Sequence, residues 1–256
     1  MTTRHKIALA EATPAVDEQA LREDLAAAHR LAAYFDFHEG ICNHFTARLD
    51  DRSFLLSPDI THWSRVTASS LVRVDARPGG HHGRDDGDQV AYHIHWPIYR
   101  DRPDVGCVLH THMLYATSLT MVEGGRLDMA EQTALRFYGR IAYDDEYPGL
   151  VGVEGESEGE RLARKLGDRS VLFARNHGIV VAGPTIGEAF DDLYYLERCC
   201  HKQWLAKGWG LPLALIDKAV AEASRAWFGE PYRRWKLETF EAFKRLLEEP
   251  AEDYRA

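Results

Sequence analysis

Two His-x-His pairs lie close together in this chain: His93-Ile94-His95 in "QVAYHIHWPIYRDRPD" and His110-Thr111-His112 in "VGCVLHTHMLYAT". Two imidazoles spaced this way can share one metal ion only if both side chains leave the backbone on the same side. A strand meets that condition, because side chains alternate with period two. A helix does not, because residues two apart point about 200° away from each other. With 13 histidines in 256 residues, the motif alone proves nothing, and local structure has to separate the pairs. Val105 to Leu109 is an apolar run that reads as a buried strand, so His110 and His112 are expected to face one way. The segment from about Gln89 to Arg100 reads as a helix with apolar Val90, Ile94, Pro97 and Ile98, so His93 and His95 are not both expected on one ion. Pro97 should remove a hydrogen bond and bend that helix. A third candidate, His177, sits at the polar centre of "SVLFARNHGIVVAGP", between two segments that read as strands. Gly178 follows it, where the backbone can approach a neighbour and the imidazole can project into a cleft. Taken alone, that segment also fits a turn histidine bonded to backbone. Three histidines on one ion would leave a coordination position open, the arrangement of a catalytic divalent metal. Zinc is the default for an imidazole set, with manganese and iron(II) as alternatives.

The elements needed to position such a site are legible along the chain. "DEQALREDLAAAHRLAAYFDF" is an amphipathic helix, and "HFTARLDDRSFLLSP" alternates and turns like a hairpin. "DMAEQTALRFYGRI" and "GERLARKLGD" read as helices. "PTIGEAFDDLYYLERCCHKQWLAKG" is a long helix with Thr185 and Glu188 in capping-box spacing. The remainder is helical from about residue 207, ending in "LEEPAEDYRA". "DARPGGHHGRDDGDQ" is a glycine-rich polar loop in which His81 and His82 are expected to be solvated. No repeat or linker divides the chain, and one domain over residues 1–256 is the simplest reading.

Composition limits the function classes. The chain is 45% hydrophobic and 28% charged with a net charge of −9, which suits a globular protein and argues against nucleic acid or an anionic membrane as partner. No apolar run approaches the ~20 residues of a membrane span, and the N-terminus lacks a signal-peptide core. Cys42, Cys107, Cys199 and Cys200 form no spaced framework, which suits a reducing cytoplasm.

"YRDRPDVGCVLHTHMLYATSL" and "ARNHGIVVAGPTIGEAFDDLYYLERC", with "GICNHFTARLDDRSFLLSP" and "VTASSLVRVD", resemble the class II aldolase and adducin head-domain family over roughly residues 20 to 205. The resemblance implies an α/β fold, a three-layer α/β/α sandwich on a largely antiparallel sheet, often assembled as a homotetramer. It also implies that His110, His112 and His177 hold a divalent metal. The family's sugar-phosphate aldolases carry Ser-Ser-Glu at the start of the helix where this chain has Gln89, Val90 and Ala91. Alanine transfers no proton and valine binds no phosphate. The family's threonine-glycine phosphate element appears here as Asp59-Ile60, and an aspartate repels an anion.

These departures redirect the chemistry. A phosphorylated sugar is not expected; a small oxo- or hydroxy-acid is. An open metal position suits chelation of such a substrate and stabilisation of the enolate left when a carbon–carbon bond breaks, by aldol cleavage or by decarboxylation. His44 lies where the family's aldolases place an asparagine near substrate, and it could donate a hydrogen bond, move a proton, or simply fix the loop beneath the cleft. Glu131 and Tyr138 are further acid/base or supporting candidates. Asp88, Gln132, Arg136 and Arg140 lie nearby in sequence, and Tyr232, Arg233 and Tyr254 resemble groups that some family members lend across a subunit boundary. Two rival readings stand: an iron(II) oxygenase on the same scaffold, and a non-catalytic, adducin-like assembly domain.

Overall fold

The structure, a computed structural model, describes residues 17–58, 60–75, 89–149, 157–247 and 253–256. His81, His82, Asp59 and Asp88 lie outside the described residues, as do the side chains of Gln89 and Val90. Helix α1 (Glu18–Tyr34) starts at Asp17, whose carboxylate accepts from the amides of Gln19 and Ala20, satisfying donors the first turn leaves free. Its inner stripe of Leu25, Ala28, Leu31 and Ala32 is fully buried. Strands β1 (His44–Asp50) and β2 (Ser53–Leu56) form the expected hairpin with Thr46 opposite Leu56. Then come β3 (Val72–Asp75), α2 (Gln89–Asp101), β4 (Cys107–Thr111), α3 (Leu114–Thr120), β5 (Ile141–Asp144), α4 (Glu158–Leu166), β6 (Val171–Ala174), β7 (Gly178–Gly183), α5 (Ile186–Lys207), α6 (Lys218–Trp227) and α7 (Arg233–Lys244).

Among the described residues, seven strands form one sheet in the order β3-β2-β1-β4-β7-β6-β5. Only β5 and β6 run parallel; every other neighbouring pair is antiparallel. Alternation along the strands divides the core in two. Phe45, Ala47, Cys107, Leu109, Ile179 and Val181 pack on the side of α1 and α5. Phe54, Leu56, Val108, Leu172 and Val180 pack on the side of α2 and α4 with Ile94, Ile98 and Leu162. The result is the three-layer α/β/α sandwich.

One stretch differs from expectation. Residues 128–141, which read as a helix, hold only a 3-10 turn at Gln132–Phe137, and Ile141 opens strand β5. Gly139 at φ +68° ends the turn, in a backbone region that favours glycine. Parallel pairing of β5 with β6 then outweighs the local helical pattern. Short helix α3, directly after His112, was likewise invisible to periodicity because it is only seven residues long.

Candidate metal centre

His110 stands on the last turn of alternation of β4, opposite His44 on β1 and Val180 on β7. His112 lies just beyond the end of β4, and His177 closes the tight connection between β6 and β7. Asn176, next to it, takes a positive φ of 54°, a conformation asparagine adopts more readily than most residues. The three imidazoles converge, with one ligand atom from each lying within 4.8 Å of the others. His110 Nε2 and His112 Nε2 are 3.1 Å apart, close to the roughly 3.3 Å between neighbouring nitrogens of a tetrahedral zinc site.

The other ring nitrogens show which lone pairs are free. His110 Nδ1 lies 3.0 Å from the Ile179 carbonyl, which can only accept, so Nδ1 bears the proton. His112 Nδ1 lies 2.5 Å from a carboxylate oxygen of Glu39, with the same consequence. Both Nε2 atoms therefore present lone pairs to each other, an arrangement a cation between them relieves. Glu158 Oε1 sits 3.1 Å from His177 Nδ1, although the pair is not aligned as a hydrogen bond and that nitrogen is otherwise unpartnered. A carbonyl or carboxylate behind each ring is the usual support of metal-ligating histidines. Burial, and then the neighbouring rings of His44, His177 and His112, push His110 well below the ordinary histidine range, which keeps it neutral and able to ligate. The residues fit a divalent metal.

Gly178 is a steric requirement of this geometry. A Cβ there would lie 2.6 Å from His112 Cδ2 and 2.6 Å from the Thr111 carbonyl oxygen. Asn43 ties the cluster to the β1 side: its Oδ1 accepts from the Glu39 amide at 2.8 Å and the His112 amide at 3.4 Å. Its buried Nδ2 has no partner, and the residue lines a cavity of about 200 Å³ with Ser57, Ile60, Thr61 and Trp63. No basic side chain lines that cavity among the described residues. A larger cavity, about 310 Å³, opens at the other end of the sheet beside Val105, Gly183 and Lys236 and includes none of the three histidines.

Of the second His-x-His pair, His93 is exposed and His95 fully buried, as a helix requires. His95 turns toward the sheet and meets His44, with His44 Nδ1 2.9 Å from His95 Nε2. His44 is buried, and its ring centroid lies 4.8 Å from that of His110. Ala91 is completely buried against the sheet, so nothing acidic stands at that helix position.

The remaining candidates go elsewhere. Glu131 caps the 3-10 turn through the Thr133 amide and also meets Cys199 and Lys202. Burial pushes its carboxyl up, but Lys202, Cys199 and the Thr133 amide outweigh this and hold it below the usual value. Tyr138 ends the same turn, half-buried, with its amide on the Leu135 carbonyl. Neither is brought to the histidines within this chain. Arg136 pairs with Asp191 and donates to the Tyr232 hydroxyl 3.1 Å away. Arg140 and Lys236 share Asp192, and Arg233 pairs with Glu188. Tyr254 is buried against its own chain, its carbonyl accepting from the Ala68 amide. Glu39, Glu158 and Asn43 escaped the sequence reading, as did the contact of His95 with His44, since no fixed spacing links them to the ligands they support.

A largely antiparallel α/β/α sandwich with three histidines converging at a strand end is the class of protein the fold and site define. Residues 23–204 match the Class II Aldolase and Adducin N-terminal domain family, and the chain belongs to that family. It is 35% identical over 187 residues to an adducin-related protein of Schizosaccharomyces pombe, covering 70% of this chain but 56% of that one. It thus spans little more than half of that relative. It is 30% identical to the decarboxylase NovR of Streptomyces niveus, covering 79% of this chain and 78% of NovR. The crystal structure of an aldolase II superfamily protein from Pseudomonas syringae superposes with a TM-score of 0.81 at 33% identity, covering 96% of this chain and 98% of that one.

Proposed function

We propose that this chain is a divalent-metal-dependent carbon–carbon lyase, an aldolase or decarboxylase, acting on a small unphosphorylated oxo- or hydroxy-acid. The observation that carries the reading is the convergence of His110, His112 and His177, with Glu39, the Ile179 carbonyl and Glu158 behind them. These three would hold the metal, zinc by default, which when bound supplies a Lewis acid for charge developing on a carbonyl or carboxylate oxygen. The cavity that Asn43 lines has no charged side chain among its described lining residues, which favours an acid without phosphate. Its polar atoms are Asn43, Ser57 and Thr61, which can orient a small substrate but do not neutralise a dianion. Asn43 Nδ2 is a buried donor without a partner at the edge of this cavity, and His44 stands beside His110 as a polar contact. Burial of an alanine where the family's aldolases carry a glutamate removes a general base. That favours decarboxylation, which starts without proton abstraction. Glu131 and Tyr138 remain proposals for proton transfer only if a second subunit brings them to a cleft. Decarboxylase NovR supports the lyase reading by similarity. We further propose one domain across residues 1–256, its helices beyond about 207 an extension, acting in the cytoplasm as a homo-oligomer, a tetramer by family resemblance.

The adducin-related relative supports a second reading, assembly without catalysis. Metal analysis of protein purified without chelator, followed by assays on sugar phosphates and on 2-oxo and ortho-hydroxy acids, separates the two. The lyase reading expects one metal per chain, lost in the His110→Ala, His112→Ala double variant, and turnover of an acid. Full metal occupancy in that variant overturns the site. Cleavage of a sugar phosphate near 10⁴ M⁻¹s⁻¹ or more, in the ordinary enzymatic range, with nothing on the acids overturns the substrate class. Oxygen consumption with bound iron would point instead to the oxygenase.

A further inference from the structure

The buried pair His44 and His95 belongs to a longer chain of hydrogen bonds that crosses from α2 into β1. Tyr99 Oη lies 2.8 Å from Thr46 Oγ1, Thr46 Oγ1 lies 2.7 Å from His95 Nδ1, and His95 Nε2 lies 2.9 Å from His44 Nδ1. All four side chains are at least 98% buried. Each group has few protons to give, so the chain has a direction. Burial pushes the Tyr99 phenol well above its usual range, so its proton stays on, and among the described residues Thr46 is the side-chain acceptor in reach. Thr46, having accepted, owns one proton. It can give it to His95 Nδ1 at 2.7 Å or to the Val108 carbonyl at 3.5 Å, and the shorter contact is the real hydrogen bond. His95 Nδ1 is then an acceptor, so its proton is on Nε2 and is donated to His44 Nδ1. His44 in turn must carry its own proton on Nε2, pointing away from His95. The His44 ring centroid lies 4.8 Å from that of His110, which places this ring on the cluster side.

We propose that Tyr99, Thr46 and His95 act as positioning residues that hold His44 in its Nε2–H tautomer, so that it offers a hydrogen bond to an oxygen of the bound substrate and no lone pair to the metal. The inference rests on the metal-centre reading above and goes beyond it. It makes His44 a donor to developing negative charge, the kind of contact that strengthens as an oxyanion forms, and excludes His44 as a fourth ligand. It also gives His95 a purpose: the second His-x-His pair supports the site through one member, from behind.

Long-range ¹H–¹⁵N correlation spectra of histidine-labelled protein test this without a substrate. Assigned by loss of signals in His44→Asn and His95→Asn, both rings are expected to show a protonated Nε2 and a bare Nδ1. Zinc titration should shift one nitrogen each of His110, His112 and His177 and leave the His44 pattern in place. In Thr46→Val, the single-tautomer pattern of His95 and His44 should be lost while zinc stoichiometry stays at one. A proton on His44 Nδ1, a zinc-bound His44 nitrogen, or an unchanged His44 pattern in folded Thr46→Val each overturns the proposal. If Thr46→Val does not fold, the wild-type spectra still decide the tautomer. Expected tautomers without zinc binding would sink the metal centre and leave the hydrogen-bond chain standing, so the two failures are distinguishable.

Discussion

At the scale of single residues, the centre depends on what stands immediately behind the ligands. Gly178 touches the ring of His112 and the Thr111 carbonyl so closely that any Cβ must displace one of them. Gly178→Ala is therefore expected to fold but to bind zinc at least 10-fold more weakly, read by competition with a chromophoric chelator; unchanged affinity would show that the loop relaxes freely. Glu39 and Glu158 act through the rings they face. Glu39→Gln removes the charge that receives the His112 Nδ1 proton at 2.5 Å, and a loss of 10–100-fold in metal affinity is expected, the usual effect of removing such a partner. Glu158→Gln, whose carboxylate is less well aligned on His177, should cost less. Equal effects would contradict the geometry.

At the scale of elements, one contact joins α5 to α3 and another packs α1 on the sheet. The carboxylate of buried Glu197 on α5 accepts from the amides of Tyr115 at 2.9 Å and Ala116 at 2.8 Å, at the start of α3. Glu197→Ala strands these donors and should cost about 2–3 kcal/mol in chemical denaturation. Because α3 begins two residues after His112, zinc affinity should fall as well; a stability loss without one would separate the helix from the ligand. On α1, His29 is completely buried between Phe45 and Trp63, its Nδ1 on the Leu25 carbonyl. Burial lowers it to about 4, against a weak opposing effect of that carbonyl. An unfolded histidine titrates near 6.5, so the unfolded chain takes up the proton first as pH falls. Stability is undiminished by this group above about pH 6.5 and drops progressively between there and 4. By pH 4.5 the loss is about 2.5 kcal/mol. His29→Leu should reduce the acid sensitivity by about that amount, measured by urea melts at pH 7 and pH 4.5. Parallel pH dependences in the two proteins would refute it.

At the scale of the whole molecule, the end of α5 and the irregular segment that follows it leave large apolar side chains in solvent. Trp209 is 81% exposed, Leu211 71% and Trp204 60%, an unusual concentration for a surface that meets only water. Light scattering after size exclusion should give a mass that is a multiple of the 29.1 kDa chain, and Trp209→Ser with Leu211→Ser should lower it. A monomeric wild type at micromolar concentration would count against the assembly. Helix α7 is anchored inward by Asp192 of α5, which holds Lys236 of α7 together with Arg140 just before β5. Burial pushes the Asp192 carboxyl up, yet the two cations hold it at about 2. Asp192→Ala leaves buried Lys236 without its carboxylate and Arg140 with only the Arg136 carbonyl, and should destabilise the chain by about 3–5 kcal/mol.

The sequence by itself determined what depends on local periodicity. Alternation put His110 and His112 on one side of a strand end, helical period kept His93 and His95 apart, and Thr185 with Glu188 marked the start of α5. The order of these blocks was enough for the family and its sandwich, and Ala91 was visibly unable to act as a base. Only the tertiary structure decided which residues from distant segments meet. His44 pairs with His95 across 51 positions, and Glu39 reaches His112 across 73; such separations carry no periodic signal, because they are set by how α2 and the β1 hairpin pack on the sheet. The same holds for Glu131, whose place in the chain suggested a catalytic acid. Its carboxylate meets Lys202 and Cys199 on α5, a contact set by how the 3-10 turn at Gln132–Phe137 packs on that helix and not by any local pattern.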